Sequence, residues 1–298
     1  MTNSDMKVDT ATEWRPRDRS EPLRQGDIFA WKADTSYDPW RRFGVLVTAD
    51  CDFARSKHRD ILTYCPILRF NDFLSTFWLP ADTGKAIDKL AKSVSDRLTP
   101  ARRQYRPQFD APVNPSLLPA WLRRRGVSGV LDDIGIPEGE RGSLSEPLQI
   151  LLELLMSITA ADTRVRLMAL AKARLLTPSP SEEKMDKMLA SIWKDYEDRI
   201  HSLPGDLFFL NALSPNEQVG YVVYLRRLGE IAPNAIATRP IEEGARGAVR
   251  ISRLGTPYRY RLTQKPAAVF ADIGLPTDYE QRSQQTIRAI GESLQLNL

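Results

Sequence analysis

LRQGDIFAWKADTSYDPWRRFGVLVTADCDFARSKHRDILTYCPI, residues 23–67, holds three short apolar runs separated by two charged turns. Gly26-Asp27 opens the first run, Ile28-Phe29-Ala30-Trp31, and a loop rich in Asp, Ser and Pro follows. The second run, Phe43 to Thr48, leads straight into Asp50-Cys51-Asp52. A basic turn of Arg55, Lys57, His58 and Arg59 precedes the third run, Ile61 to Ile67. Runs of this length, with β-branched and aromatic residues inside and Gly, Pro and Asp at their edges, predict strands of a small barrel or meander.

Upstream, residues 1–22 are polar, charged and proline-containing, which predicts a mobile arm. Trp14 within it reads either as a docking residue or as a lid on the barrel's open end. Downstream, strand character runs to about Pro80, with Phe73 to Leu79 a fourth strand or an irregular edge. From Asp82 the period changes. Ile87, Leu90, Val94 and Leu98 stand at helical spacing, with Thr83 as N-cap and Pro100 beyond the end. Residues 100–147 are the least regular. Ser145 and Pro147 then start a helix that is apolar all round from Leu148 to Ile158 and continues, with a break, to Leu176. Ser181 caps another helix, with Met185, Met188, Leu189, Ile192, Trp193 and Tyr196 in one stripe.

At Gly205-Asp206 strand character returns. Leu207–Leu210 and Val219–Leu225 read as strands, and Ala248–Leu254 as a short strand or an extended lead-in. A helix over Tyr258–Ala271, kinked or restarted at Pro266, and a last helix capped by Asp278 follow. The expected fold class is therefore α+β, with an SH3-like small β-barrel split by a helical insertion and C-terminal helices. Residues 23–81 form its first part, 82–205 the insertion, and 206–298 the returning strands and closing helices. Returning strands are expected to pair with the early ones because a three-strand sheet is marginal alone.

The bulk numbers narrow the function. Forty-two basic against 38 acidic residues leave a formal charge of +4, too small a surplus for a protein that coats DNA non-specifically. Two cysteines and no secretory apolar region predict a cytoplasmic protein with thiols. No run is long enough to span a membrane; Leu148–Leu155 is interrupted by Gln149 and Glu153. Two histidines leave little for a histidine-based metal site.

Four segments resemble the PemK/MazF-like toxins, SH3-like barrels that cut RNA in prokaryotic toxin–antitoxin systems. Gln25-Gly26-Asp27-Ile28-Phe29 is similar to that family's opening G-D-I strand, and Arg41 to Thr48 to its R-R-P-x-L-V-L-S segment. Leu62-Thr63-Tyr64-Cys65-Pro66-Ile67 resembles its third strand, and Gly220 to Ile231 its late V-x-L-x-Q-I-R-x-I strand. Phe43 stands in place of the usual proline, and Leu68 in place of the hydroxyl expected after the third strand. The large helical middle is also a departure. The resemblance implies metal-independent RNA cleavage by the ribose 2′-OH, with Arg42 or its neighbour Arg41 stabilising the phosphorane.

The candidate catalytic residues are thus Arg41, Arg42, Asp50 and Asp52. Strand alternation sets both aspartates on one face, as a general base or as a corner that a divalent cation and substrate phosphates share, or else they form an Asx turn neutralised by Lys57 or Arg55. Candidate nucleic-acid contacts are Trp40, Lys57, Trp121, Arg123, Arg124 and Arg125, because indole stacks on bases and guanidinium grips phosphate. Arg102, Arg103 and Arg106 with Tyr105, and Arg250, Arg253, Arg259, Arg261 and Lys265, are further basic faces. Cys51, His58 and Cys65 lack a fourth ligand and match no zinc spacing, so no metal or cofactor is expected. The expected function is nucleic-acid-directed, in a toxin–antitoxin or phage-defence setting, with endoribonuclease activity as one reading. A non-catalytic adaptor whose barrel binds a protein is the other. RNA or DNA, an antitoxin or defence-system protein, and a second copy of the chain are the partners left open; a membrane is not among them.

Overall fold

The computed structural model describes residues 13–16, 21–32, 38–214 and 219–271. The chain divides into two compact units: residues 1–67 with 204–298, and residues 68–203. The first is a mixed α/β unit. Its strands are β1 (Trp14–Pro16), β2 (Asp27–Trp31), β3 (Phe43–Leu46), β4 (Leu62–Arg69), β5 (Leu207–Leu210), β6 (Tyr221–Tyr224), β7 (Gly229–Ile231), β8 (Ile236–Ala237) and β9 (Ala248–Leu254).

They form one curled, half-barrel sheet in the order β1-β9-β2-β3-β4-β6-β5, with β7 also on β4 and β8 on β9. Strands from both ends of the sequence therefore share one sheet. Tyr64 of β4 lies opposite Leu46 of β3 on one side and Gly229 of β7 on the other. Side chains of successive residues point to opposite faces, and both faces are buried. Ile28, Val45, Cys65 and Ile67 join Leu210, Tyr221 and Leu254 in one core. Phe29, Leu46 and Leu62 join Ile231 and Ile236 in another.

Asp27, from the G-D-I segment, is 1% exposed. Arg253 Nε donates to its carboxylate at 2.5 Å, Arg250 Nη1 at 3.4 Å and the Arg24 backbone N–H at 2.9 Å. A carboxylate taken out of water at this depth is tolerated only with such partners. Arg250 and Arg253, read from the sequence as part of a contact face or as the wet side of a helix, are thus buried structural cations on a strand. Two further expectations are corrected nearby. Within the arm of 1–22, residues 14–16 are a strand on β9, and Trp14 is buried at 6% exposure. Asp50 and Asp52 lie in a short helix, α1 (Asp50–Ala54), not at a strand end. Residues two apart on a helix project to different sides, so the one-face arrangement of the two carboxylates does not form.

The second unit is helical. α2 (Phe70–Phe73), a π-helical turn (Leu74–Trp78) and α3 (Leu79–Tyr105) make one continuous run. The fourth strand or irregular edge expected over Phe73–Leu79 is helix instead, with Phe73 and Phe77, one turn apart, packed ring to ring at 5.1 Å. Helix consequently begins before position 82. Thr83 is buried inside α3 rather than capping it, and α3 continues through Pro100. Thr99 ties this turn: its Oγ1 donates to the Ser95 carbonyl at 2.8 Å and accepts from the Val113 N–H at 3.1 Å.

α4 (Leu118–Ile134) occupies the stretch read as irregular, bent at Gly126. α5 (Gly142–Ser157) starts one turn ahead of Ser145, whose N–H bonds Arg141 at 2.8 Å. α6 (Thr163–Leu175) is separate, capped by Asp162, whose carboxylate accepts from the Arg164 N–H at 2.8 Å. α7 (Glu182–His201) buries Ile192 and Tyr196, while Trp193 at the edge of that stripe is 42% exposed. Leu148, Leu151 and Leu154 of α5 are fully buried at the centre of this core. In the first unit α8 (Thr256–Ala271) runs through Pro266. The helix expected from Asp278 lies outside the described residues. No helix among the described residues is long and apolar enough to cross a membrane.

Candidate nucleic-acid interface

On the Phe29 face of the sheet lies a cleft of about 290 Å3. Its floor is the Tyr64 ring, which rests against two glycines on neighbouring strands. A Cβ at Gly229 would overlap that ring, and one at Gly44 would meet Phe29 at 2.5 Å and Tyr64 at 2.8 Å. Phe29 holds Tyr64 edge-on at 5.2 Å, and Trp31 stands edge-on to Tyr64 at 6.1 Å. The Trp31 indole Nε1 is buried and has no hydrogen-bond partner among the described residues.

The rim is charged. Asp38 caps the short 3-10 turn Pro39–Arg41, its carboxylate accepting from the Trp40 N–H at 3.0 Å. That turn sets Arg41 over Trp31, with the guanidinium carbon 5.4 Å from the ring centroid. Arg227 lies over Trp40 at 4.5 Å, and Trp40 packs edge-on against Tyr224 at 5.4 Å. Neither Arg41 nor Arg227 has a carboxylate within ion-pair distance among the described residues. Glu230 on β7 completes the lining. Burial raises the Tyr64 hydroxyl above its ordinary pKa; Arg41 and Arg227 oppose this and Asp38 adds to it. The hydroxyl is therefore a neutral hydrogen-bond donor at pH 7. Stacked arginines on aromatic walls around a phenol can hold an unstacked base and the phosphate beside it.

The other sequence-derived candidates lie elsewhere. Arg42 is half-buried at the start of β3, and its carbonyl accepts from the Trp31 N–H at 2.9 Å; its side chain does not line the cleft. Asp50 lines a different cleft with Phe53 and His58, where its carboxylate accepts from the Gln25 N–H at 3.0 Å and pairs with Arg259 at 3.2 Å. Asp52 accepts from the Cys51 thiol at 3.7 Å. Lys57 is exposed in the turn after α1 and lines neither cleft. The aspartates and Arg41 therefore do not form one concave site.

In the helical unit, Trp121 Nε1 donates to Asp133 at 2.9 Å and Arg125 grips the same carboxylate with two bonds of 2.9 and 3.1 Å. The Trp121 N–H and then Arg125 hold the Asp133 carboxyl below its ordinary pKa. Trp121 and Arg125 are thus engaged across the α4 bend, and Arg123, Arg124 and Arg125 are all exposed. Arg102 and Arg103 bond the carbonyls of Phe109, Ala111 and Asp110 and close the end of α3. Cys65 is buried and Cys51 exposed, and among the described residues no three of His, Cys, Asp or Glu cluster as metal ligands.

Trp31, Tyr64, Arg227 and Glu230 were not singled out as site residues from the sequence. Alternation along β4 groups Tyr64 with Leu62 and Pro66, but nothing local announces that Arg227, more than 160 residues later, returns to the same cleft. No protein-family model, curated protein or solved structure matches this chain.

Proposed function

We propose that this is a nucleic-acid-directed protein of a prokaryotic toxin–antitoxin or phage-defence system, built on an SH3-like barrel split by a helical insertion. Single-stranded RNA is its ligand, held in the Trp31–Trp40–Tyr64 cleft. One observation carries the reading. Arg41, Tyr64 and Arg227 come from three of the four segments that resemble the PemK/MazF-like toxins, and Trp31 lies two residues beyond the fourth; all four side chains line one cleft. An aromatic wall offers a π-face to any base, and two guanidinium groups without carboxylate partners among the described residues offer charge to the adjoining phosphate.

The same cleft supports cleavage through Arg41, already read from the sequence, together with Glu230 and Arg227. Glu230, one of two carboxylates of the lining with Asp38, is assigned the role of taking the proton from a ribose 2′-OH. The O2′–P bond forms as the P–O5′ bond breaks, giving a 2′,3′-cyclic phosphate and a 5′-hydroxyl whose oxygen takes a proton from water. Arg41 and Arg227 face the charge that grows on the phosphorane. The adaptor reading is favoured by Leu68, fully buried where the resembled family carries a hydroxyl.

Fluorescence anisotropy with a labelled single-stranded RNA tests binding. Arg227→Ala and Trp40→Ala should each weaken affinity by about tenfold, the scale of one lost stacking or phosphate contact, while Asp50→Asn leaves it unchanged. Equal affinity in all four proteins ends the reading. Cyclic-phosphate product from wild type, lost in Glu230→Gln, identifies the enzyme; tight binding without product leaves the adaptor.

A further inference from the structure

The helical unit holds a third cleft, of about 490 Å3, between α3, the end of α6 and α7. Asp82, Lys85, Lys89 and Ser93 succeed one another along one side of α3 and line this cleft. Lys85, Lys89 and Ser93 are exposed there. Asp82 is buried, with a side chain 6% exposed, and binds Arg199 through two bonds of 2.8 and 3.1 Å. The Arg199 guanidinium is further fixed 5.2 Å from the Tyr196 ring centroid and 5.8 Å from that of Trp78. Its side chain remains 37% exposed, so a preorganised cation borders the cleft.

Arg174 enters from the end of α6, paired with Asp195 at 2.9 Å. Lys85 and Lys89 are exposed and have no ion-pair partner among the described residues. Four cations against the two carboxylates that bind them leave a surplus of two positive charges. That surplus suits a dianion better than a single carboxylate. Beside the cations the lining is apolar. Leu90 is buried, and Leu176, held in the left-handed conformation at φ +54°, is 61% exposed. A large apolar side chain left in water next to unpaired lysines offers cover to the carbon skeleton of an amphipathic anion. The volume is within the range of small-molecule sites.

We propose that this cleft binds a phosphorylated small molecule of nucleotide size, with the phosphoryl group between Lys85, Lys89 and Arg174 and its organic body against Leu90 and Leu176. The site is independent of the RNA cleft, because all its residues belong to the helical unit.

Calorimetric titration of the full chain with adenosine monophosphate, pyrophosphate and adenosine is the test, done in the Arg41→Ala/Arg227→Ala background so that the RNA cleft does not contribute. Adenosine monophosphate should bind about tenfold or more tightly than adenosine, and Lys85→Ala/Lys89→Ala should remove that difference, since hydrogen bonds between charged partners are the stronger class. Pyrophosphate should compete with adenosine monophosphate. Leu176→Ser should weaken adenosine monophosphate and leave pyrophosphate unaffected. Both lysines are exposed, and an unchanged thermal midpoint verifies the fold of the double variant. Equal binding of nucleotide and nucleoside, equal binding by wild-type and lysine-free proteins, or no heat from any probe overturns the proposal.

Discussion

At the scale of single residues, small side chains position large ones. The Tyr64 ring lies flat only because Gly44 and Gly229 present no Cβ beneath it. Gly229→Ala should push the ring into the cleft, lower stability by roughly 1–3 kcal/mol through overpacking, and weaken RNA binding in the same variant. Wild-type affinity together with lowered stability would dissociate the ring from the ligand. Cys65 makes a second prediction. Burial pushes its thiol up to about 12 from an ordinary 9.0. Above pH 9 the unfolded chain gives up this proton while the folded chain keeps it, so stability is full below that pH and falls as pH rises toward 12. Cys65→Ala should show a shallower fall in its urea midpoint over that window, and iodoacetamide should label only Cys51 in the native protein. Little of this was legible in advance: the sequence shows that Cys65 lies on a strand, and only burial gives its acidity.

At the scale of elements, α4 turns on one glycine. Gly126 adopts φ +66° and ψ 179°, a region open essentially to glycine alone. Across this bend Asp133 of the second half binds Trp121 and Arg125 of the first. A Cβ at position 126 would touch nothing, so the effect of Gly126→Ala isolates backbone conformation from crowding. It should lower the thermal midpoint, with a loss of roughly 1–3 kcal/mol; a midpoint matching wild type would mean that the bend relaxes into continuous helix. The Trp-Leu-Arg-Arg-Arg-Gly stretch reads as a basic aromatic loop because a glycine and three arginines interrupt its periodicity. Burial of Leu118 and Leu122 overrides that local signal. The same override explains Phe70–Leu79, where crowded aromatic residues satisfy a strand pattern and a helix equally well until their packing partners are known.

At the scale of the whole molecule, charge is distributed by pairing rather than by composition. The chain carries +4, yet Arg250, Arg253 and Arg259 are taken up by Asp27 and Asp50. Arg41 and Arg227 are left at the Trp31–Tyr64 cleft, for which RNA binding is proposed. Each phosphate neutralised on a single strand contributes about −0.7 to the slope of log affinity against log salt. Arg227→Ala should therefore flatten that slope by about 0.7, measured by anisotropy over a salt series. An unchanged slope would remove Arg227 from the phosphate contacts.

Sequence alone determined what depends on neighbours along the chain: apolar runs of strand length at both ends, helical periods between them, and the glycine and aspartate that open β2. Tertiary structure decided what depends on residues far apart. It paired β9 with β2, buried the arginines of β9 on Asp27, set α1 where a strand end was expected, and brought Arg41, Tyr64 and Arg227 around one cleft. The reason is physical. Backbone propensity and periodicity act over a few residues, whereas desolvation and ion pairing act between whichever side chains the completed sheet brings within a few ångströms.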